Sequence, residues 1–278
     1  MKVVLADCAG ACYGVQRALD LANKAALQHD SIQTLGPLIH NPQVVHELSQ
    51  KGMGVAEDVA DIQASTIIIR SHGVSPEVLD AIEAKQLKII DATCPHVLRA
   101  QRAAYDLAAR GFTVLVVGED QHPEVQGLLA WAKRGGNKVY CISQTRDIPS
   151  DLEQPVGIVV QTTQTRELLQ SVLDTLDNRG LTYELHDTIC SATSKRQQAA
   201  TQLAQNVDAM VVIGGKNSSN TTHLAEICSQ YCQTVFHIES ASELDKRLFE
   251  DIETVGITAG ASTPEDQINA VVDCLHSW

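Results

Sequence analysis

Aromatic residues are scarce in this chain of 278 residues: Phe, Trp and Tyr together make up 4% of it. With 44% apolar residues overall, the core must be built from Val, Ile, Leu and Ala, a composition that suits layered strands and helices. Positive charge is also short. Lys and Arg number 21 against 34 Asp and Glu, a formal net charge of −13. That argues against a nucleic-acid partner, which would need a basic face. No apolar run approaches the roughly 18 residues of a membrane span, so no membrane partner is expected either. The opening MKVVLADCAG has too short an apolar run for a signal segment, and the chain reads as cytoplasmic. Its eight cysteines are then expected as reduced thiols or metal ligands, not as a disulfide framework. No low-complexity linker breaks the chain.

What is there is a repeating pattern. The runs at 2–6, 66–70, 87–91, 113–118, 138–142, 156–162, 209–215, 234–238 and 254–260 read as strands. Most are continuously apolar, as parallel strands covered on both faces are. Helical patterns lie between them, including HVLRAQRAAYDLAARG and QTRELLQSVLDTLDNRG, each ending in a glycine that suits a helix C-terminus. The fold class is α/β with mostly parallel sheets.

Three cysteines share one context. Cys12, Cys94 and Cys190 each stand between a strand and a helix, with spacings of 82 and 96 residues. A thiol at a helix start has its thiolate favoured by the helix dipole. Three α/β units packed about a pseudo-threefold centre would bring three thiolates together. Such a set suits an iron–sulfur cluster or zinc; three separate buried thiols are the plain alternative. Cys141, Cys228 and Cys232 look like core. Cys8, four residues before Cys12, is close enough in sequence to reach the same centre.

Polar residues gather at strand exits. GGKNSSNTTHLAEI places Ser218, Ser219 and Asn220 at a helix start, TAGASTPEDQI offers Ser262 and Thr263, and VVQTTQT offers Thr162 and Thr163. These are anion sites in the physical sense or ordinary caps. Recurrence favours a phosphate ligand, because open sheets bind ligands at the carboxyl ends of their strands. His40, His72 and His122 stand at exits of the same type. Glu124, two residues after His122 across a proline, reads as a loop carboxylate. Beside an anionic ligand it would have a raised pKa and serve as a proton donor; otherwise it is a solvated loop residue.

In this order GACYGVQRA, HNPQVV, SHGVSP, DATCP, HPEVQG, QTT, DTICSAT, KNSSNTTHLAE and TAGAS resemble the LytB/IspH family of 4-hydroxy-3-methylbut-2-enyl diphosphate reductases over nearly the whole chain. The resemblance implies three similar small α/β domains in a trefoil around a central iron–sulfur cluster. The boundaries would be 13–94, 95–189, and 190–278 with 1–12. It implies Cys12, Cys94 and Cys190 as ligands of a [4Fe–4S] cluster with one open iron. Substrate binding would fall to His40, His72, His122, Ser218, Ser219, Asn220 and Ser262, with Glu124 as proton donor and Thr162 ordering the proton path. The implied reaction is a two-electron, two-proton reductive dehydroxylation of an allylic diphosphate, giving isopentenyl and dimethylallyl diphosphates. No G-x-G-x-x-G follows a strand, so a ferredoxin or flavodoxin is expected as electron donor. One departure stands out: many members carry an aromatic residue directly before the first cluster cysteine, where this chain has Ala11.

Two other classes compete. A structural zinc protein would use the same thiols, but no C-x-x-C pair exists and structural zinc favours four closed ligands. A cysteine-nucleophile enzyme would use one thiol and leave the others without a role.

Overall fold

The computed structural model describes residues 1–136 and 138–278. The chain starts with β1 (Lys2–Leu5) and α1 (Tyr13–Gln28). Then come β2 (Ile32–Leu35), α2 (Pro42–Gln50), β3 (Met53–Ala56), β4 (Thr66–Ile69), α3 (Pro76–Ala84) and β5 (Lys88–Asp91). A second series is α4 (Pro95–Ala109), β6 (Thr113–Val117), α5 (Pro123–Arg134), β7 (Val139–Ile142), β8 (Val156–Val160), α6 (Arg166–Asn178) and β9 (Tyr183–His186). The third is α7 (Ser191–Ala204), β10 (Ala209–Ile213), α8 (Ser219–Tyr231), β11 (Thr234–Ile238), β12 (Thr254–Ala259) and α9 (Glu265–His276).

Among the described residues the strands form three four-stranded sheets, ordered β3-β2-β4-β5, β7-β6-β8-β9 and β11-β10-β12-β1. Every pairing is parallel. The three orders are one topology: the first strand of each series lies inside, flanked by the second and the third, and the fourth takes the edge beyond the third. In the last sheet that fourth place is filled by β1 from the start of the chain. The central strands TIII, TVLVV, VGIVV and AMVVI are buried along their length, as strands covered on both faces must be. Helices α4 and α6 stop just ahead of Gly111 and Gly180, both at positive φ, the backbone conformation that glycine tolerates best.

Three strands are absent from the sequence reading: β2, β3 and β9. Each has four residues: β2 and β9 carry polar side chains, while β3, MGVA, is apolar but short, with its two middle residues exposed. Strands β3 and β9 lie on sheet edges, where one side is open and a polar side chain costs little. Inner strand β2 carries Gln33, whose Oε1 accepts from the backbone N–H groups of Gln63 and Ala64 at 2.7 and 2.8 Å. Its polarity is spent on fixing the entry to β4.

The chain divides into two compact units. The first comprises Met1–Val15, His40–Gln43 and Ser191–Trp278, the second Gln16–Ile39 and Val44–Cys190. The second unit contains two sheets. Trp131 Nε1 of α5 donates to the Val74 carbonyl at 3.1 Å, and Arg134 pairs with Asp80 at 2.6 Å, tying α5 to the segment around α3. Inside β8, a Cβ added to Gly157 would come within 2.8 Å of both methyls of buried Leu107 on α4. Gly157→Ala is therefore expected to cost about 1–3 kcal/mol by overpacking, read as a lower urea midpoint.

Candidate active site

Every site residue expected from the sequence lies at the carboxyl end of a strand. His40 follows β2, His72 follows β4, His122 and Glu124 follow β6, and Thr162 follows β8. Ser218, Ser219 and Asn220 follow β10, and Ser262 follows β12. These are the exits of the first and third strands of each series, the pair where the chain turns to opposite sides and open sheets bind ligands. The cysteines take the remaining exit: Cys94 follows β5, Cys190 follows β9 and Cys12 follows β1.

The cysteine positions are equivalent in their bonds as well. The Cys12 N–H donates to the Ala261 carbonyl at 3.0 Å, that of Cys94 to Ser71 at 2.9 Å, and that of Cys190 to Thr162 at 3.1 Å. In each case the acceptor lies two residues past the end of the neighbouring third strand. Each cysteine immediately precedes a helix: α1, α4 and α7. All three are half-buried, and none of the eight cysteines is in a disulfide. Soft thiols held at helix starts with their backbone already bonded fit a thiolate-ligated iron–sulfur group.

In the first unit the loop after β12 and the segment at His40 are clamped together. Ser262 Oγ donates to the His40 carbonyl at 3.0 Å, and Asn41 Nδ2 donates to the Ser262 carbonyl at 3.0 Å and to Gln267 Oε1 at 3.1 Å. A Cβ on Gly215 would meet the His40 carbonyl at 2.9 Å, so glycine there lets the two backbones close up. Ser218 caps α8, its hydroxyl accepting from the Thr221 N–H. Asn220, in the first turn of α8, is 4% exposed, yet neither atom of its amide has a hydrogen-bond partner. Buried amides are seldom left so, because the group keeps its full desolvation cost. This one sits at a helix N-terminus beside two serines, where an anion would satisfy it.

In the second unit Glu124 is the central group. The sequence reading put it in a loop; it lies instead in the first turn of α5, with Pro123 as the first helical residue. Proline is favoured there because its missing N–H would have no partner in any case. Nor is Glu124 solvated: it is 1% exposed. One carboxylate oxygen accepts from the Thr162 N–H at 2.6 Å and the other from the Thr162 hydroxyl at 2.8 Å. Burial pushes its pKa up to about 7, the two bonds from Thr162 pulling the other way and the Glu119 charge adding a little. The carboxyl can therefore hold a proton near neutral pH, as a proton donor must. His122 caps α5, its Nδ1 accepting from the Glu124 N–H at 3.1 Å, which leaves Nε2 to carry the ring's proton. The His72 and His122 rings meet edge to face at 5.5 Å. Because Thr162 also accepts from the Cys190 N–H, one residue joins the carboxyl to a cysteine loop.

The other thiols are as read or nearly so. Cys228 and Cys232 are buried, and Cys141 is a half-buried residue of edge strand β7 packed on the core. Burial raises the Cys228 and Cys141 thiols to about 12 and about 11, which keeps both protonated. Cys8 is half-buried in the turn after β1, and Ala11 is exposed. Three residues escaped the sequence reading: Asn41, Gln161, whose Oε1 accepts from the Glu119 N–H at 3.0 Å, and Arg196. Asn41 and Gln161 lie inside quoted motifs and Arg196 three residues beyond one, but the role of each is a long-range bond that spacing does not reveal.

The family model for LytB protein matches residues 3–276. The 4-hydroxy-3-methylbut-2-enyl diphosphate reductase of Trichlorobacter lovleyi is 46% identical over 278 residues, covering 99% of this chain and 98% of that protein. The protein of the same name from Syntrophotalea carbinolica is 45% identical over 274 residues, 98% of each chain. A solved (E)-4-hydroxy-3-methylbut-2-enyl diphosphate reductase, described as the terminal enzyme of the non-mevalonate pathway, matches 100% of both chains at 39% identity and a TM-score of 0.71. The Plasmodium falciparum E-1-hydroxy-2-methyl-but-2-enyl-4-diphosphate reductase matches 99% of this chain and 87% of its own, at 25% identity and a TM-score of 0.93. The motifs, the parallel sheets and the full-length match agree: the chain belongs to the LytB family.

Proposed function

We propose that this chain reduces 4-hydroxy-3-methylbut-2-enyl diphosphate to isopentenyl and dimethylallyl diphosphates, the last step of the non-mevalonate isoprenoid pathway. The reaction takes up two electrons and two protons, breaks the allylic C–O bond and releases water. The observation that carries it is the buried Glu124 carboxyl, poised near neutrality and joined through Thr162 to the Cys190 loop. Reductive loss of a hydroxyl needs a proton donor beside a source of electrons, and the Cys190 turn is where a thiolate-held redox group would be carried.

Cys12, Cys94 and Cys190 are the ligands we assign to a [4Fe–4S] cluster with one iron left open. When bound, that group supplies electrons and a Lewis-acidic iron for the substrate hydroxyl. Glu124 delivers the proton that leaves with the hydroxyl as water, and Thr162 orients the carboxyl through both of its oxygens. The diphosphate falls to His40, His72, His122, Ser218, Ser219, Asn220 and Ser262. None of these is Lys or Arg, so its charge is met by hydrogen-bond donors and the N-terminus of α8. With no nicotinamide or flavin motif in the chain, a ferredoxin or flavodoxin supplies the electrons, in the cytoplasm.

The test is anaerobic purification with iron, sulfide and visible absorption measured per chain, then assay with reduced viologen and the diphosphate substrate. About four irons and substrate-dependent viologen oxidation support the reading; stoichiometric zinc, or a cluster that ignores the substrate, refutes it. Asn220→Ala is expected to raise KM about 10- to 100-fold, the worth of a hydrogen bond to a charged group. Because the amide is unpaired without ligand and carries its desolvation cost there, the same change does not lower the melting temperature of the ligand-free protein.

A further inference from the structure

Arg196 is a charged residue in an uncommon place. It lies on α7 and is 4% exposed, whereas arginine is rarely buried to that degree. One guanidinium nitrogen donates to the Gly10 carbonyl at 2.6 Å and another to the Ala192 carbonyl at 3.3 Å. Gly10 is the hinge of the turn that presents Cys12. Its φ of +96° lies in the left-handed region, and its own N–H reaches the Ala259 carbonyl at 3.4 Å. Two residues on, the Cys12 N–H is held by Ala261 at 3.0 Å. The turn is thus pinned by its backbone to the loop after β12 and by a side chain to α7. Gly10 and Cys12 are at most about 7 Å apart along the chain, so the guanidinium is bonded to the same short turn that carries the thiol.

We infer that Arg196 is a positioning residue: its guanidinium fixes the Gly10–Cys12 turn and puts a buried positive charge on the turn that carries the Cys12 ligand. This rests on the reading of Cys12 as a cluster ligand. A cluster bound by three thiolates is anionic and becomes more so on reduction. A desolvated cation nearby favours the reduced form, because burial strengthens the charge interaction and net charge is among the factors that set cluster potentials.

The experiment compares wild type, Arg196→Met and Arg196→Lys, first without and then with reconstituted iron–sulfur. Hydrogen exchange on the cluster-free chains reads the clamp alone. In Arg196→Met the Gly10 and Cys12 amides are expected to exchange at least about tenfold faster, with the Cys94 and Cys190 amides unchanged. On the reconstituted proteins the midpoint potential of Arg196→Met moves to more negative values and iron is lost faster to a chelator. Arg196→Lys, which keeps the charge but not the planar fork, retains the wild-type potential while still showing the faster exchange. Unchanged exchange and unchanged potential in Arg196→Met, with wild type carrying its cluster, overturn the inference and leave the proposed function standing. A wild-type chain that takes up no cluster overturns both.

Discussion

Glu124→Gln is expected to lower kcat about 10²- to 10⁴-fold, the range for losing a positioned general acid, while making the protein more stable above neutral pH. The activity loss follows from the missing acidic proton, since glutamine keeps the shape and can still accept the Thr162 N–H. The stability gain follows from linkage. An ordinary carboxyl titrates near 4.5, and burial lifts Glu124 to about 7, so the folded state holds a proton that the unfolded state releases. Stability then falls as pH rises from about 4.5 to about 7, because over that window the folded chain binds more protons. The total is about 3 kcal/mol at 1.36 kcal/mol per pKa unit. Urea unfolding of the cluster-free chain at pH 5 and pH 8 measures it: wild type loses stability between them and Glu124→Gln does not. A parallel loss in both proteins would place the titration on another group. In wild type the alkaline limb of kcat should fall away above about pH 7, as the donor loses its proton.

Cys94→Ala should abolish both iron retention and turnover while leaving the fold intact. Cys94 is half-buried and occupies the N-cap of α4 without making a side-chain cap bond, so its replacement takes no capping bond from the helix. Its thiolate, by contrast, is one of three that we assign to the cluster. Far-UV circular dichroism should match wild type, visible absorption should vanish, and iron per chain should drop from about four toward zero. Cys274→Ala is the control. That cysteine lies on α9, outside the strand-exit pattern, and its loss should leave iron and activity as they are. A Cys94→Ala protein that keeps a full cluster would remove this cysteine from the ligand set.

The sequence by itself determined the class of fold and brought forward the residues proposed for the site. Continuous apolar runs such as TVLVV and VGIVV read as strands buried on both faces, and they lie as central strands of parallel sheets. The three cysteine turns announced themselves through recurrence, and their equivalence extends to the backbone bond each one makes. Strands β2 and β9 did not show because polar residues interrupt them, and β3, MGVA, did not because four residues around a glycine are too short a run to read as a strand.

Only the tertiary structure decided what environment each site residue has. Glu124 read equally as a solvated loop acid or a proton donor. Its burial comes from helix α5 starting one residue earlier, at Pro123, and from Thr162, which arrives from a strand 38 residues further on. The clamp of Asn41 on Ser262 spans 221 residues, and that of Arg196 on Gly10 spans 186. Periodicity and spacing report neighbours a few residues apart. A pKa is set by every group that surrounds a side chain, and that depends on which distant segments pack against it.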